Sequence, residues 1–188
     1  MTALTPANQL TLLRMLLIPA FVILVLYGEL GWALAVFATA GLTDGLDGLI
    51  ARRSGQKTRL GAWLDPMADK LLLVTTFIVL TLPGLGLANR LPIWLTVLII
   101  SRDVVIVLTV TIVNLAIGPR TFQPSWFGKA ATAIYIVTAV AAMLFNYLGR
   151  HSSLVDVLVW TSLAITIVSS LHYIWHAARI IDEPRASV

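Results

Sequence analysis

Four carboxylates stand in fixed register within an otherwise apolar chain: Asp44 and Asp47 are three residues apart, and Asp65 and Asp69 are four apart. On a helix, either spacing brings both side chains of a pair to one face, with Cβ atoms about 5–6 Å apart. Carboxylates converging from two such faces make a hard, all-oxygen donor set, which selects Mg2+, Mn2+ or Ca2+ over softer metals. Four acidic ligands suffice to hold two divalent cations about 3.5–4 Å apart. Gly48 and Gly61 flank the acids. A missing side chain there admits either a neighbouring helix or a ligand at close range. Arg52, one turn beyond Gly48, offers a guanidinium suited to bidentate contact with a phosphate, or is simply a basic residue flanking a membrane span.

The elements that position these groups are read from composition. Of 188 residues, 59% are hydrophobic and 12% are charged, against about 25% charged in a typical soluble domain. No polar stretch is long enough to build a separate core, so the whole chain reads as one membrane domain. A carboxylate at a bilayer centre costs about 2.5–3.5 kcal/mol on insertion scales. Four of them therefore call for compensation by bound cations, arginines or a water-filled cavity. The net charge of +4 suits anionic lipid head groups, and the basic residues are too dispersed for a nucleic-acid partner. Cysteine is absent, which excludes disulfides and thiolate zinc sites. The first apolar run carries Arg14 and Pro19 and lacks a small-x-small cleavage pattern, so it reads as a retained helix and not a cleaved signal.

A span needs about 20 mainly apolar residues. Six segments meet or approach this: Leu10–Tyr27, Trp32–Ile50, Leu60–Leu82, Ile93–Ile117, Lys129–Leu148 and Leu154–Ala177. The alternation of a barrel is missing, so an all-α integral membrane fold with six transmembrane helices is expected. Gly28-Glu29, Pro83-Gly84, Gly118-Pro119 and Gly149-Arg150 punctuate the runs. Arg52, Arg53, Lys57, Arg59, Arg120, Lys129, Arg179 and Arg185 fall on one side of this topology, and Arg90 and Arg150 on the other. The positive-inside rule then puts both termini and the aspartate-rich loop in the cytoplasm. Tyr27, Trp32, Trp63, Trp94, Trp126 and Trp175 fall near span ends, as interfacial aromatics do. Ser152-Ser153 with Asp156 reads as a helix cap, and Asn8 beside Pro6 also suits a helix start.

Read together, the fixed positions form the pattern D-x2-D-G-x2-A-R-x8-G-x3-D-x3-D, filled by Asp44, Asp47, Gly48, Ala51, Arg52, Gly61, Asp65 and Asp69. This pattern resembles the signature of the CDP-alcohol phosphotransferases, integral membrane enzymes of phospholipid synthesis. Asn8–Arg14 (NQLTLLR) with Pro19, the run DPMADK ending at Lys70, Ile100–Asp103 (ISRD) and Pro124–Lys129 (PSWFGK) extend the likeness over most of the chain. The resemblance implies a six-helix fold and a homodimer. It implies that Asp44, Asp47, Asp65 and Asp69 hold two divalent cations, Mg2+ or Mn2+, and that Asp69 doubles as general base. It also implies that Asn8, Gly48, Arg52 and Thr58, together with Gly61, hold the CDP part of a CDP-diacylglycerol donor. The chemistry fits these roles, since cations and a guanidinium stabilise an anionic leaving group at a pyrophosphate.

The acceptor alcohol is less legible. Arg102 lies deep in the fourth apolar run, where an arginine is a functional candidate by default. With Arg120 and Lys129 it suggests an anion pocket for a phosphorylated acceptor such as glycerol 3-phosphate; alternatively it pairs with Asp103 or a motif aspartate to neutralise charge. Overall length and the PSxxGK segment resemble the phosphatidylglycerol phosphate synthases. Asp103 stands where those enzymes often have Glu, and the SRD segment also resembles the cardiolipin synthases, whose acceptor is phosphatidylglycerol; inositol phosphate is a third acceptor. Intramembrane acids also build ion pathways, but a small ion-coupled transporter leaves the Gly-Ala-Arg register unexplained, and inverted repeats are not evident. His172 and His176 are four apart without a neighbouring acid, and read as interfacial packing.

Overall fold

The computed structural model of the protein describes the backbone of residues 6–54, 59–117 and 126–182, and within these the side chains of residues 9–43, 67–112, 115 and 126–175. Six helices follow one another: α1 (Pro6–Leu26), α2 (Leu30–Ser54), α3 (Arg59–Thr81), α4 (Ile93–Ile117), α5 (Trp126–Tyr147) and α6 (Ser153–Asp182). No strand occurs among the described residues. A helix pairs most of its backbone polar groups internally, which is the requirement lipid imposes. The boundaries match the expected apolar runs to within a few residues, and α1 begins at the anticipated Pro6.

Four helices are long and apolar enough to cross a membrane: Gln9–Leu26 of α1, Ile93–Ile112 of α4, Trp126–Tyr147 of α5 and Ser153–Trp175 of α6. The six expected spans are thus six helices, four of which meet the length and hydropathy of a span among the described residues. Within α2, Leu30–Thr43 is apolar but shorter. The remaining two helices, α2 and α3, are those that carry the aspartates.

The chain divides into two compact units, one of Met1–Leu91 with Ala139–Ser152 and one of Pro92–Thr138 with Ser153–Val188. In the first, α1 packs along both α2 and α3. Phe21 of α1 meets Phe37 of α2 with ring centroids 6.0 Å apart, and Ala33 and Ala40 of α2 and Ala68 of α3 are fully buried. Small residues at these positions let helix backbones approach closely, which is what drives packing where lipid is as apolar as leucine. In the second unit α4 packs on α6. Trp94 meets Trp160 at 5.7 Å. Tyr135 Oη and Thr166 Oγ1 lie 2.6 Å apart, and Thr138 Oγ1 and Ser162 Oγ lie 2.9 Å apart, so α5 and α6 are joined by buried hydroxyls.

Helix ends follow the sequence punctuation. Gly28 (φ 79°) ends α1, its N–H donating to the Val25 carbonyl at 3.0 Å while the Glu29 N–H donates to Leu24 at 2.8 Å. Gly149 repeats this after α5, with bonds to the carbonyls of Asn146 and Phe145. Both are left-handed helix stops, a conformation glycine adopts without strain. Asp156 sits in the first turn of α6, where an acid complements the helix dipole.

One polar knot ties two connections of the first unit. The Asn89 backbone N–H donates to Asn146 Oδ1 at 2.6 Å, and Asn89 Nδ2 donates to the Arg150 carbonyl at 2.7 Å. Asn89 Oδ1 accepts the Ser152 N–H at 2.8 Å. Both asparagines are 5% exposed. Asn89→Ala removes the side-chain partner of two part-buried backbone groups, and the net worth of such hydrogen bonds is about 0.5–1.5 kcal/mol each. The detergent-solubilised variant should therefore melt several degrees below wild type, with about 2–4 °C lost per kcal/mol at this chain length. Leu148→Ala, at a 51% exposed position, should leave the midpoint unchanged.

Candidate active site

The aspartates are carried on two helices that share a neighbour. Asp44 and Asp47 lie in the C-terminal half of α2, and Asp65 and Asp69 in the N-terminal half of α3. Among the described residues α2 and α3 meet at few positions, whereas α1 packs along both. Thr11 and Arg14, one turn apart on α1, are completely buried.

Arg14 and Asp69 form an ion pair, Arg14 Nη1 donating to Asp69 Oδ1. The two partners differ in exposure: the Arg14 side chain is 1% exposed and the Asp69 side chain 45%. Breaking a fully buried pair costs about 3–5 kcal/mol because it leaves an uncompensated charge; solvent at Asp69 screens this one, so its worth is smaller. Sequence reasoning gave Arg14 no role at the site. The available signal was the same one that marked Arg102: an arginine inside an apolar helix needs a partner.

For the other expected donor and metal residues the structure gives the helix position only. Asn8 lies in the first turn of α1, Gly48 and Arg52 on α2, and Gly61 on α3. Their side chains, and those of Asp44, Asp47 and Asp65, lie outside the described residues, as do Thr58 and Arg120 altogether. Accordingly no group of three or more His, Asp or Glu side chains comes together among the described residues. The donor chemistry fits a hard divalent cation, because every proposed ligand is a carboxylate and Asp69 stands partly accessible.

Arg102 lies near the middle of α4 with its side chain 9% exposed. Nη1 donates to Asp103 Oδ1 at 2.9 Å and Nη2 to Ser169 Oγ of α6 at 2.9 Å. The pairing with Asp103 is the charge-neutralising arrangement anticipated beside the acceptor role. Arg102 Nε is buried with no hydrogen-bond partner among the described residues. Lys129, in the first turns of α5, is exposed. The His172 ring lies 4.9 Å from Phe127 and 6.3 Å from Trp175, in agreement with a packing role; the His176 side chain lies outside the described residues.

Comparison with known proteins places this geometry in context. A family model described as CDP-alcohol phosphatidyltransferase matches residues 4–168. A "probable phosphatidylglycerophosphate synthase" of Mycobacterium tuberculosis is 36% identical over 188 residues, covering 95% of this chain and 84% of the relative. The CMP-forming cardiolipin synthase of Streptomyces coelicolor is 36% identical over 163 residues, covering 84% of this chain and 73% of the relative. The corresponding human cardiolipin synthase is 34% identical over 194 residues, covering 93% of this chain but 62% of the relative. With the aspartate pattern borne on α2 and α3 and a family match over most of its length, the chain belongs to the CDP-alcohol phosphatidyltransferase family.

Proposed function

We propose that the protein transfers the phosphatidyl group of CDP-diacylglycerol to glycerol 3-phosphate, releasing CMP and forming phosphatidylglycerol phosphate. The observation that carries this reading is the 36% identity to a "probable phosphatidylglycerophosphate synthase" across 95% of the chain. In this reading Asp44, Asp47, Asp65 and Asp69 hold two divalent cations, Mg2+ or Mn2+. Such cations, when bound, polarise the donor pyrophosphate and stabilise charge on the departing CMP. Asn8, Gly48, Arg52, Thr58 and Gly61 receive the CDP group, with Arg52 as the charged contact to phosphate. Asp69 takes the proton of the acceptor hydroxyl as that oxygen bonds to the phosphorus bearing diacylglycerol. The phosphorus–oxygen bond to CMP breaks in the same displacement, so CMP carries away the bonding electron pair. The 45% exposure of Asp69 supports its role as base, since a base must reach the proton it removes.

The same reading has all six helices crossing the bilayer, with both termini and the aspartates on the cytoplasmic side, and two copies of the chain forming a homodimer. The anionic acceptor is received by Arg102 with Arg120 and Lys129. The second reading has phosphatidylglycerol as acceptor and cardiolipin as product; it is favoured by the 34–36% identities to cardiolipin synthases.

Purified protein given CDP-diacylglycerol with Mg2+ or Mn2+ should release CMP when glycerol 3-phosphate is added, and little with phosphatidylglycerol or inositol phosphate. Release with phosphatidylglycerol and with neither other acceptor would establish the second reading, and folded protein that releases no CMP with any of the three would remove the enzyme class. Asp69→Asn should stay folded and retain at most trace turnover; near-normal rates would remove Asp69 as base. Arg102→Ala should raise KM for glycerol 3-phosphate by about tenfold or more, the worth of a charged hydrogen bond. KM for the lipid donor should change much less. Equal shifts in both would count against an acceptor pocket at Arg102.

A further inference from the structure

We propose that Arg14 is the positioning residue for Asp69: a buried guanidinium on α1 fixes where the carboxylate stands for the metal ions and for the acceptor proton. The inference rests on the transfer reaction proposed above, and it adds α1 to the machinery that the aspartate helices carry.

Three observations lead to it. First, the pair is asymmetric. Here the cation is 1% exposed while its partner is 45% exposed. The fixed charge is sunk in protein and the carboxylate projects into accessible space, which is the arrangement of an outer ligand holding an inner one. Second, Arg14 is held firmly. It is among the largest fully buried side chains, and Thr11 one turn away is fully buried as well. A planar guanidinium donates from a rigid fork, so it passes its own fixed orientation to the oxygen it contacts. Third, α1 is the neighbour common to both aspartate helices. A side chain on α1 is therefore placed to set the position of α3 carboxylates against the frame that also carries α2. Asp69 is 55 residues from Arg14 in sequence, so the contact records a tertiary choice and not a local one.

The closing experiment uses full-length protein in detergent, with Mn2+ as probe. Mn2+ affinity is read by electron paramagnetic resonance, and turnover by CMP release. Arg14→Gln should lower kcat and weaken Mn2+ binding by about ten- to a hundredfold, the usual effect of losing an outer partner of a metal ligand. KM for CDP-diacylglycerol should stay within about threefold, far below the tenfold or greater effect of a lost charged contact to substrate. Arg14→Lys keeps the charge without the fork and should fall between the two. In an Asp69→Asn background, Arg14→Gln should weaken Mn2+ binding no further, because its effect passes through Asp69. Wild-type kcat and Mn2+ affinity in Arg14→Gln would overturn the proposal, as would an undiminished effect in the Asp69→Asn background. If Arg14→Gln does not elute as folded protein, Arg14→Lys decides: lowered kcat and Mn2+ affinity support the proposal, and wild-type values overturn it. Wild-type protein that releases no CMP with any acceptor would defeat the transfer reading and this inference together, whereas an active wild type with an unaffected Arg14→Gln defeats the inference alone.

Discussion

A charged side chain on an apolar helix has to meet opposite charge or water where it sits, and this constraint organises both units of the protein. Arg14 meets Asp69 in one, and Arg102 meets Asp103 in the other. In each pair the arginine is the deeper partner: 1% against 45% exposed, and 9% against 19%. The direction has a physical cause. A guanidinium spreads its charge over a plane, is weakly hydrated and can distribute donors among several acceptors, so it tolerates burial better than a compact, strongly hydrated carboxylate. Arg102 shows the distribution directly, dividing its two terminal nitrogens between a carboxylate and the Ser169 hydroxyl. The acids are left nearer to accessible space, where cations or substrates can approach.

Neutral polar groups obey the same constraint at smaller scale. Ser162, Thr166 and Ser169 recur at four and three residues along α6 and are all buried. They meet Thr138, Tyr135 and Arg102 in turn. In lipid, where helices gain nothing by hiding apolar surface from one another, such contacts contribute about 0.6 kcal/mol each on average. Several in one stripe still fix the rotation of a helix, because turning α6 would break all of these interhelical contacts at once.

The local features of this fold were legible in the sequence. Uninterrupted apolar runs bounded by Gly28-Glu29, Pro83-Gly84 and Gly149-Arg150 give the helix limits, since those breaks act within a few residues of themselves. The position of the aspartates on either side of the basic segment likewise puts them in the C-terminal half of α2 and the N-terminal half of α3. What could not be read was which residues meet across the fold. Arg14 with Asp69, Arg102 with Ser169, and Asn89 with Asn146 are separated by 55, 67 and 57 residues. In a soluble protein an apolar stripe would announce the inward face of each helix. Here lipid-facing and inward faces are both apolar, so helix rotation leaves little trace in the pattern. Arg102 was recognised as a candidate because charge is rare in such a background. Arg14 carries the same signal, but in the first apolar run it serves equally to mark a retained helix, so the sequence does not single it out.

The division between shared chemistry and individual specificity follows from where the similarity lies. Relatives named for two different products match this chain at 34–36% identity over most of its length. Every protein of this family needs residues that span the bilayer, close the helix ends and present carboxylates, whichever product it is named for. The choice between a small phosphorylated alcohol and a lipid alcohol changes none of these requirements. It changes the charge and the reach of the few groups that meet the acceptor, which on the proposed reading are Arg102, Arg120 and Lys129. On the proposed reading Arg102 would meet an acceptor phosphate while already donating to Asp103 and Ser169, through its remaining N–H donors or by exchanging one of those contacts. On that reading specificity depends on how tightly its neighbours hold Arg102 as much as on the arginine itself, and Asp103 is the neighbour whose charge competes most directly with a phosphate.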